Sequence, residues 1–133
     1  MDKYFKFSFT VDESSIDNLN HVNNVTYLNW AQTVAGKHWD KISSDTINNT
    51  YVWVVIRHEV DYFSSAFLND KIELKTWIGE SYGVKSDRFV NILKEGKVIC
   101  SVKTTWCLLD KNSMKPVRIP IEILEILNTN KIN

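Results

Sequence analysis

The chain opens on a strict alternation. In Tyr4 to Val11 the apolar residues Phe5, Phe7, Phe9 and Val11 fall on one side and Lys6, Ser8 and Thr10 on the other, the two-residue period of a strand buried on one face. The pattern then breaks. Asp12 to Asn24 is rich in Asp, Ser and Asn, whose short side chains bond the local backbone and favour loops and helix starts. From about Asn24 to Asp40 the period becomes helical: at about 100° per residue, Thr26, Asn29, Thr33, Gly36, Lys37 and Asp40 gather on one arc. Val25, Tyr27, Leu28, Ala31, Val34, Ala35 and Trp39 take the rest, more than a helix lying on a surface buries, so this helix is expected to be wrapped. Asn23 or Asn24 is its candidate N-cap, accepting from the unpaired amides of the first turn.

Only strand patterns follow until near the end: Tyr51 to Phe63, Lys71 to Ile78, Val84 to Lys94 and Lys97 to Leu109, all rich in β-branched and aromatic residues. In the second of these, Ile72, Leu74, Thr76 and Ile78 oppose Lys71, Glu73, Lys75 and Trp77, which describes a sheet with two distinct faces. Asn69-Asp70 and Glu95-Gly96 read as tight reversals between neighbouring strands and make the pairing antiparallel. Asp110 to Ser113 ends the last long strand, and a short amphipathic helix is expected from about Pro120 to Leu127, with proline in its first turn. Strand, long helix, then four long strands is an α+β arrangement in which the sheet must curl around the helix to bury it.

Composition narrows this picture. The 133 residues, 44% of them hydrophobic, are enough for one core, and no repeat or polar linker divides the chain, so a single domain over residues 1–133 is expected. Sixteen basic residues balance sixteen acidic ones, so there is no global field for nucleic acid or an anionic membrane, although a local basic patch could hold a phosphate. With no apolar run near the roughly 20 residues of a membrane helix and no leader-like opening, a cytoplasmic protein with no membrane partner is expected. Cys100 and Cys107 lie seven apart in one strand-like run, which points them to opposite faces, beyond disulfide reach. Neither they nor the three histidines have zinc spacing, so no metal is expected.

The chemistry concentrates in Asp17-Asn18-Leu19-Asn20-His21-Val22-Asn23-Asn24-Val25-Thr26-Tyr27, which continues into Leu28-Asn29-Trp30. A carboxylate here precedes a helix start by about six residues. Such a group can attack a carbonyl or activate water, while free amides at a helix N-terminus can hold an oxygen on which charge develops. His21 lies between the two and can orient a carboxylate or a water, or move a proton near neutral pH. By itself, an Asp in such a loop also reads as a turn or cap residue, and Asn23 and Asn24 as simple caps. Gln32 is the polar exception on the apolar arc, either a satisfied core amide or a site residue. His38, on the same arc, and His58, on a strand, read as structural.

The segment resembles the acyl-CoA and acyl-carrier-protein (ACP) thioesterases of the hotdog fold, of the 4-hydroxybenzoyl-CoA thioesterase type. In that family an Asp stands four residues before an H-V-N-N run, and a Tyr follows three further on at the start of the central helix. Trp106-Cys107-Leu108-Leu109-Asp110 with Pro116-Val117-Arg118-Ile119-Pro120, and Glu59-Val60-Asp61-Tyr62, are similar to other parts of the family. The resemblance implies a hotdog fold, a curled antiparallel β-sheet wrapped around a long central helix. It implies hydrolysis of an acyl-CoA or acyl-ACP thioester without metal or organic cofactor, and a homodimer or dimer of dimers. Asp17, His21, Asn23 and Asn24 would be the catalytic group, with Tyr27 and Gln32 binding substrate. Three positions depart from relatives: Leu19 replaces an Asn and Phe63 an acidic residue of the plant-type acyl-ACP enzymes, and Gln32 replaces a Glu of many bacterial ones. A non-catalytic acyl-binding or dimerisation module is the alternative, and a hotdog dehydratase or hydratase a third reading. Arg57, Lys85, Arg88 and Arg118 are the basic candidates for nucleotide phosphates.

Overall fold

The computed structural model describes residues 3–132. Strands β1 (Phe5–Thr10), β2 (Tyr51–Tyr62), β3 (Lys71–Tyr82), β4 (Lys85–Lys94) and β5 (Lys97–Asp110) form one antiparallel sheet in the order β1-β3-β4-β5-β2. Helices α1 (Asn24–Ile42), α2 (Asp45–Thr50) and α3 (Ile121–Asn130) complete it. This is the α+β hotdog arrangement, with the sheet curled around α1.

The alternation read from the sequence sets the two faces of the sheet. Ile72, Leu74, Thr76 and Ile78 are all buried, and across the register the last three meet Ile92, Val90 and Arg88 of β4. Those residues in turn oppose Cys100, Val102 and Thr104 of β5. Tyr27, Ala31, Val34 and Ala35 bring the buried side of α1 onto this concave surface. Each fully buried aliphatic side chain of this kind contributes roughly 1.5–3 kcal/mol relative to exposure. A second cluster, Ile78, Leu108, Ile119, Ile123 and Leu127, packs α3 over the end of the sheet nearest Trp39 and Ile42. Cys100 and Cys107 are both free thiols and both buried.

Three expectations are corrected. The Asn69-Asp70 turn exists, with Asn69 at φ +70°, but it joins strands that are not neighbours: β2 pairs with β5 at the edge, and residues 63–70 carry the chain across to β3. Asp70 holds that turn by accepting from the Phe67 N–H at 2.7 Å and pairing with Lys94 at 2.8 Å, so its geometry serves the loop rather than a hairpin. Glu95-Gly96, both at positive φ, does form the expected hairpin between β4 and β5. Secondly, α1 is not wrapped all round: Val25 is 62% exposed, and Gln32 is also exposed, because the sheet covers only one side of the helix. Gln32 is therefore not a core amide. Thirdly, α2 is an additional helix, capped by Ser44, whose Oγ accepts from the Ile47 N–H.

Candidate active site

The Asp17 segment is organised by its own backbone. The Asp17 N–H donates to the His21 carbonyl at 2.8 Å and the Asn20 N–H to the Asp17 carbonyl at 3.1 Å, with Asn20 at φ +64°, a left-handed conformation that Asn tolerates better than most residues. One carboxylate oxygen, Oδ1, accepts from the Leu19 N–H at 2.8 Å and the His21 N–H at 3.2 Å. Its second oxygen accepts from no group among the described residues. Leu19, which replaces an Asn of relatives, is exposed and takes part only through its main chain.

The turn is tied to the start of α1. Ile16 bridges to Val22, and the Asn23 N–H donates to the Ser15 carbonyl at 3.0 Å. Asn23 is the N-cap: its Oδ1 accepts from Val25 N–H at 3.0 Å and its carbonyl from Thr26 N–H at 2.9 Å. Asn24 is the first helical residue, and its N–H donates to no atom among the described residues. Its carbonyl accepts from the Tyr62 hydroxyl at 3.1 Å, which fixes the end of β2 against the helix start. Asn23 and Asn24 are exposed, while Asp17 and His21 are half-buried.

The 63–70 crossing closes the other side. His21 bridges to Phe67 and its ring meets the Phe67 ring edge-on at 5.4 Å, and the Val22 N–H donates to the Ala66 carbonyl at 3.0 Å. Tyr27 is only 2% exposed; its hydroxyl accepts from the Ala66 N–H at 2.8 Å, so it fastens this loop to the helix. Burial raises the Tyr27 pKa, the Ala66 bond opposes the rise, and the negative charge of the nearby Asp17 adds a smaller push upward. Gln32 stands two turns into α1 on its open face. The structure thus gathers Asp17, His21, Asn23 and Asn24 at one end of the helix, with Tyr27 beneath them and Gln32 apart. The sequence reading missed Tyr62 and the Ala66-Phe67 loop; the strand alternation that puts Tyr62 on the concave face was the available signal.

The opposite end of the helix differs. His38 and Arg88 are both buried, and the Arg88 Nη1 donates to His38 Nδ1 at 2.8 Å and to Thr76 Oγ1 at 3.3 Å. Burial first, then the Arg88 charge, lowers the His38 pKa to about 4, so the ring is neutral near pH 7 with its proton on Nε2. Burial lowers Arg88 to about 10, which leaves it charged. This removes Arg88 from the candidates for nucleotide phosphates outside the sheet. His58 bonds Thr104 Oγ1 through Nδ1 at 2.8 Å, and burial lowers its pKa.

The matches to known proteins agree with this frame. The chain belongs to the thioesterase-like superfamily, whose family model matches residues 11–127. Its class is that of a thioester hydrolase. Among solved structures, a predicted thioesterase from Bacillus stearothermophilus is 21% identical with a TM-score of 0.87, over 98% of this chain and 98% of that one. An acyl-ACP thioesterase from Bacteroides thetaiotaomicron is also 21% identical, TM-score 0.79, over 88% of this chain but only 50% of the longer enzyme. A Staphylococcus aureus protein solved in complex with CoA is 17% identical, TM-score 0.85, over 98% of this chain and 87% of that one. No curated protein matches the sequence significantly. Among the described residues no helix is long and apolar enough to cross a membrane.

Proposed function

We propose that the protein hydrolyses the thioester of an acyl-CoA or acyl-ACP, with water as acceptor, at the Asp17 end of α1. One observation carries the reading. The Asp17 carboxylate is held through Oδ1 by two backbone amides while Oδ2 has no partner among the described residues, and the turn that holds it is bonded to a helix whose first N–H, that of Asn24, is likewise unpaired. A carboxylate fixed by one oxygen leaves the other to act. Either it attacks the thioester carbonyl, the thiolate leaves as the C–S bond breaks and water then hydrolyses the anhydride formed, or it takes a proton from an attacking water and returns it to the sulfur as the C–S bond breaks. The Asn24 N–H and the positive end of α1 stabilise the oxygen as it becomes negative, a contribution of about 10²–10³ in rate for one well-aimed donor. Asn23 holds the first turn in position, and His21 orients the water or moves the proton. Tyr27 supports the site's floor, and Gln32 contacts substrate from the open face. The Bacteroides acyl-ACP thioesterase and the CoA-bound Staphylococcus protein support this choice of substrate class.

The assembly belongs to the same proposal. β2 and β1 are edge strands with one partner each, and Ile56, Tyr62 and Phe63 at the β2 edge and Val25 on α1 are exposed apolar groups. A second copy of the chain covers them, giving a homodimer or a dimer of dimers. Sedimentation at micromolar concentration is expected to exceed the 15.5 kDa of one chain; a lone monomer would rule the assembly out. The enzymatic reading is tested by following thiol release from a panel of acyl-CoAs and acyl-ACPs. Acyl-CoA that binds but is never cleaved would leave the acyl-binding module in its place.

A further inference from the structure

A cavity of about 260 Å³ lies between the C-terminal half of α1, strands β2, β4 and β5, and helix α3. Its nearest α1 residue, Ala35, is eleven residues past Asn24, about 16 Å along the axis at 1.5 Å per residue, so it is separate from the Asp17 turn. Ala35, Trp39, Trp53, Ile78 and Leu127 make its apolar walls, Asn48, Ser86 and Asp87 border it, and Arg88 and Trp106 supply polar groups.

Those polar groups are incompletely satisfied. Arg88 is 7% exposed, yet its only side-chain partners among the described residues are neutral, His38 and Thr76, and both bond the same nitrogen, Nη1. The Nε–H and Nη2–H edge, a fork that matches a carboxylate, has no partner there. Trp106 Nε1 is buried without a hydrogen bond. Trp106 pairs with Ser86 and Arg88 with Thr104, so Trp106 and Arg88 are diagonal neighbours on the concave face, about 7 Å apart at Cβ. Asp87, which also borders the cavity, makes no ion pair with Arg88: Tyr82 and Thr105 donate to its Oδ1, and Lys103 lies 3.9 Å from its Oδ2.

We propose that this cavity binds the carboxylate of a small organic acid with an apolar body, Arg88 and the Trp106 indole N–H being its donors. A monoanion meets one buried cation in balance, whereas a phosphate dianion would bring uncompensated charge among apolar walls. At roughly 30 Å³ per water-sized group, the volume limits the acid to about ten non-hydrogen atoms, the size of benzoate or octanoate. The proposal stands independently of thioester hydrolysis.

Calorimetry on the full chain with benzoate and octanoate, against benzamide and octan-1-ol, tests it. Saturable binding of at least one of the acids, about tenfold or more tighter than its neutral analogue, is expected, and Arg88→Met should remove that preference. Equal affinity for acid and analogue, or an acid preference that survives Arg88→Met, would overturn it. Should Arg88→Met fail to fold, Trp106→Phe supplies a second measurement: the indole N–H resonance missing from that variant should move downfield in the wild-type protein when the acid is added. An acid that leaves this resonance fixed and instead shifts His21 and the Asn23 and Asn24 amides sits at the helix N-terminus, and the assignment fails.

Discussion

The two ends of α1 hold their polar groups by opposite means. At the N-terminal end the side-chain hydrogen bonds of Asp17 and Asn23 span two to four residues, so a short stretch of chain builds most of the carboxylate turn and the cap. At the C-terminal end the Arg88 bonds reach 50 and 12 residues away, and only the assembled sheet brings them together. Asp17 and His21 at the first end are half-buried, and His38 and Arg88 at the second are buried. Local bonding leaves the spare carboxylate oxygen of Asp17 at a half-open surface, whereas long-range bonding leaves the spare edge of Arg88 facing a largely apolar cavity. Chemistry at the first end and stability at the second should therefore separate under mutation.

The largest expected effect is at the open end. Asp17→Asn keeps a side-chain oxygen for the Leu19 and His21 amides and so retains the fold, but lowers turnover by a factor on the order of 10² or more, since an amide neither attacks nor takes a proton. Near wild-type thiol release from the folded variant would break the contrast between the ends. At the end of the buried His38 the effect should appear in stability against pH. The His38 pKa is lowered from 6.5 to about 4, so the unfolded chain takes the proton first; stability is fully present above pH 6.5 and is lost as pH falls through 4. The full loss is at most about 3 kcal/mol, at 1.36 kcal/mol per pKa unit. Chemical denaturation between pH 7 and 4 checks this, and His38→Asn, whose amide oxygen can still accept from Arg88, should flatten the slope. Tyr27→Phe comes next: it orphans the buried Ala66 N–H and should cost about 1–3 kcal/mol, measured by denaturant midpoint. The smallest effect is at Gln32, whose exposure predicts that Gln32→Ala leaves the melting temperature unchanged while turnover falls by about tenfold, the equivalent of one orienting hydrogen bond. A drop in melting temperature with turnover intact would take Gln32 out of the site.

The same contrast explains what could be read in advance. β1, α1, the Asn23 cap and the β4–β5 hairpin follow from side-chain period and turn chemistry within a few residues, and the structure has them where the sequence puts them. The β2 edge was not legible, because the Asn69-Asp70 signal reports a turn without reporting which strands it joins. α2, with the sequence Asp45-Thr46-Ile47-Asn48-Asn49-Thr50, consists mostly of weak helix formers, and only the Ser44 cap marked it. Val25 and Gln32 were misplaced for a geometrical reason: a helical wheel gives the apolar arc but not how far the sheet extends around it. In the site, the Asp17 motif was visible as local chemistry, whereas Tyr62, Ala66 and Arg88 acquire their roles only through pairings across the fold.

The placement of β2 also sets an order of assembly. β3, β4 and β5 form a meander joined by short turns, but Tyr62 must find Cys100 and Tyr51 must find Asp110, 38 and 59 residues away. Closing such loops costs chain entropy before any contact offsets it, so the meander is expected to acquire protection first and the edge strands afterwards, β2 and also β1, whose β3 partners lie 61 to 71 residues away. Residues 63–70 settle with β2, and the His21–Phe67 bridge and the Tyr27–Ala66 bond settle with them. The carboxylate turn can take shape early as a local conformer, yet it is seated against the helix only when β2 docks. Pulse-labelled hydrogen exchange during refolding should find the β4 and β5 amides protected before that of Ala66, making its bond to Tyr27 a late marker of the completed site.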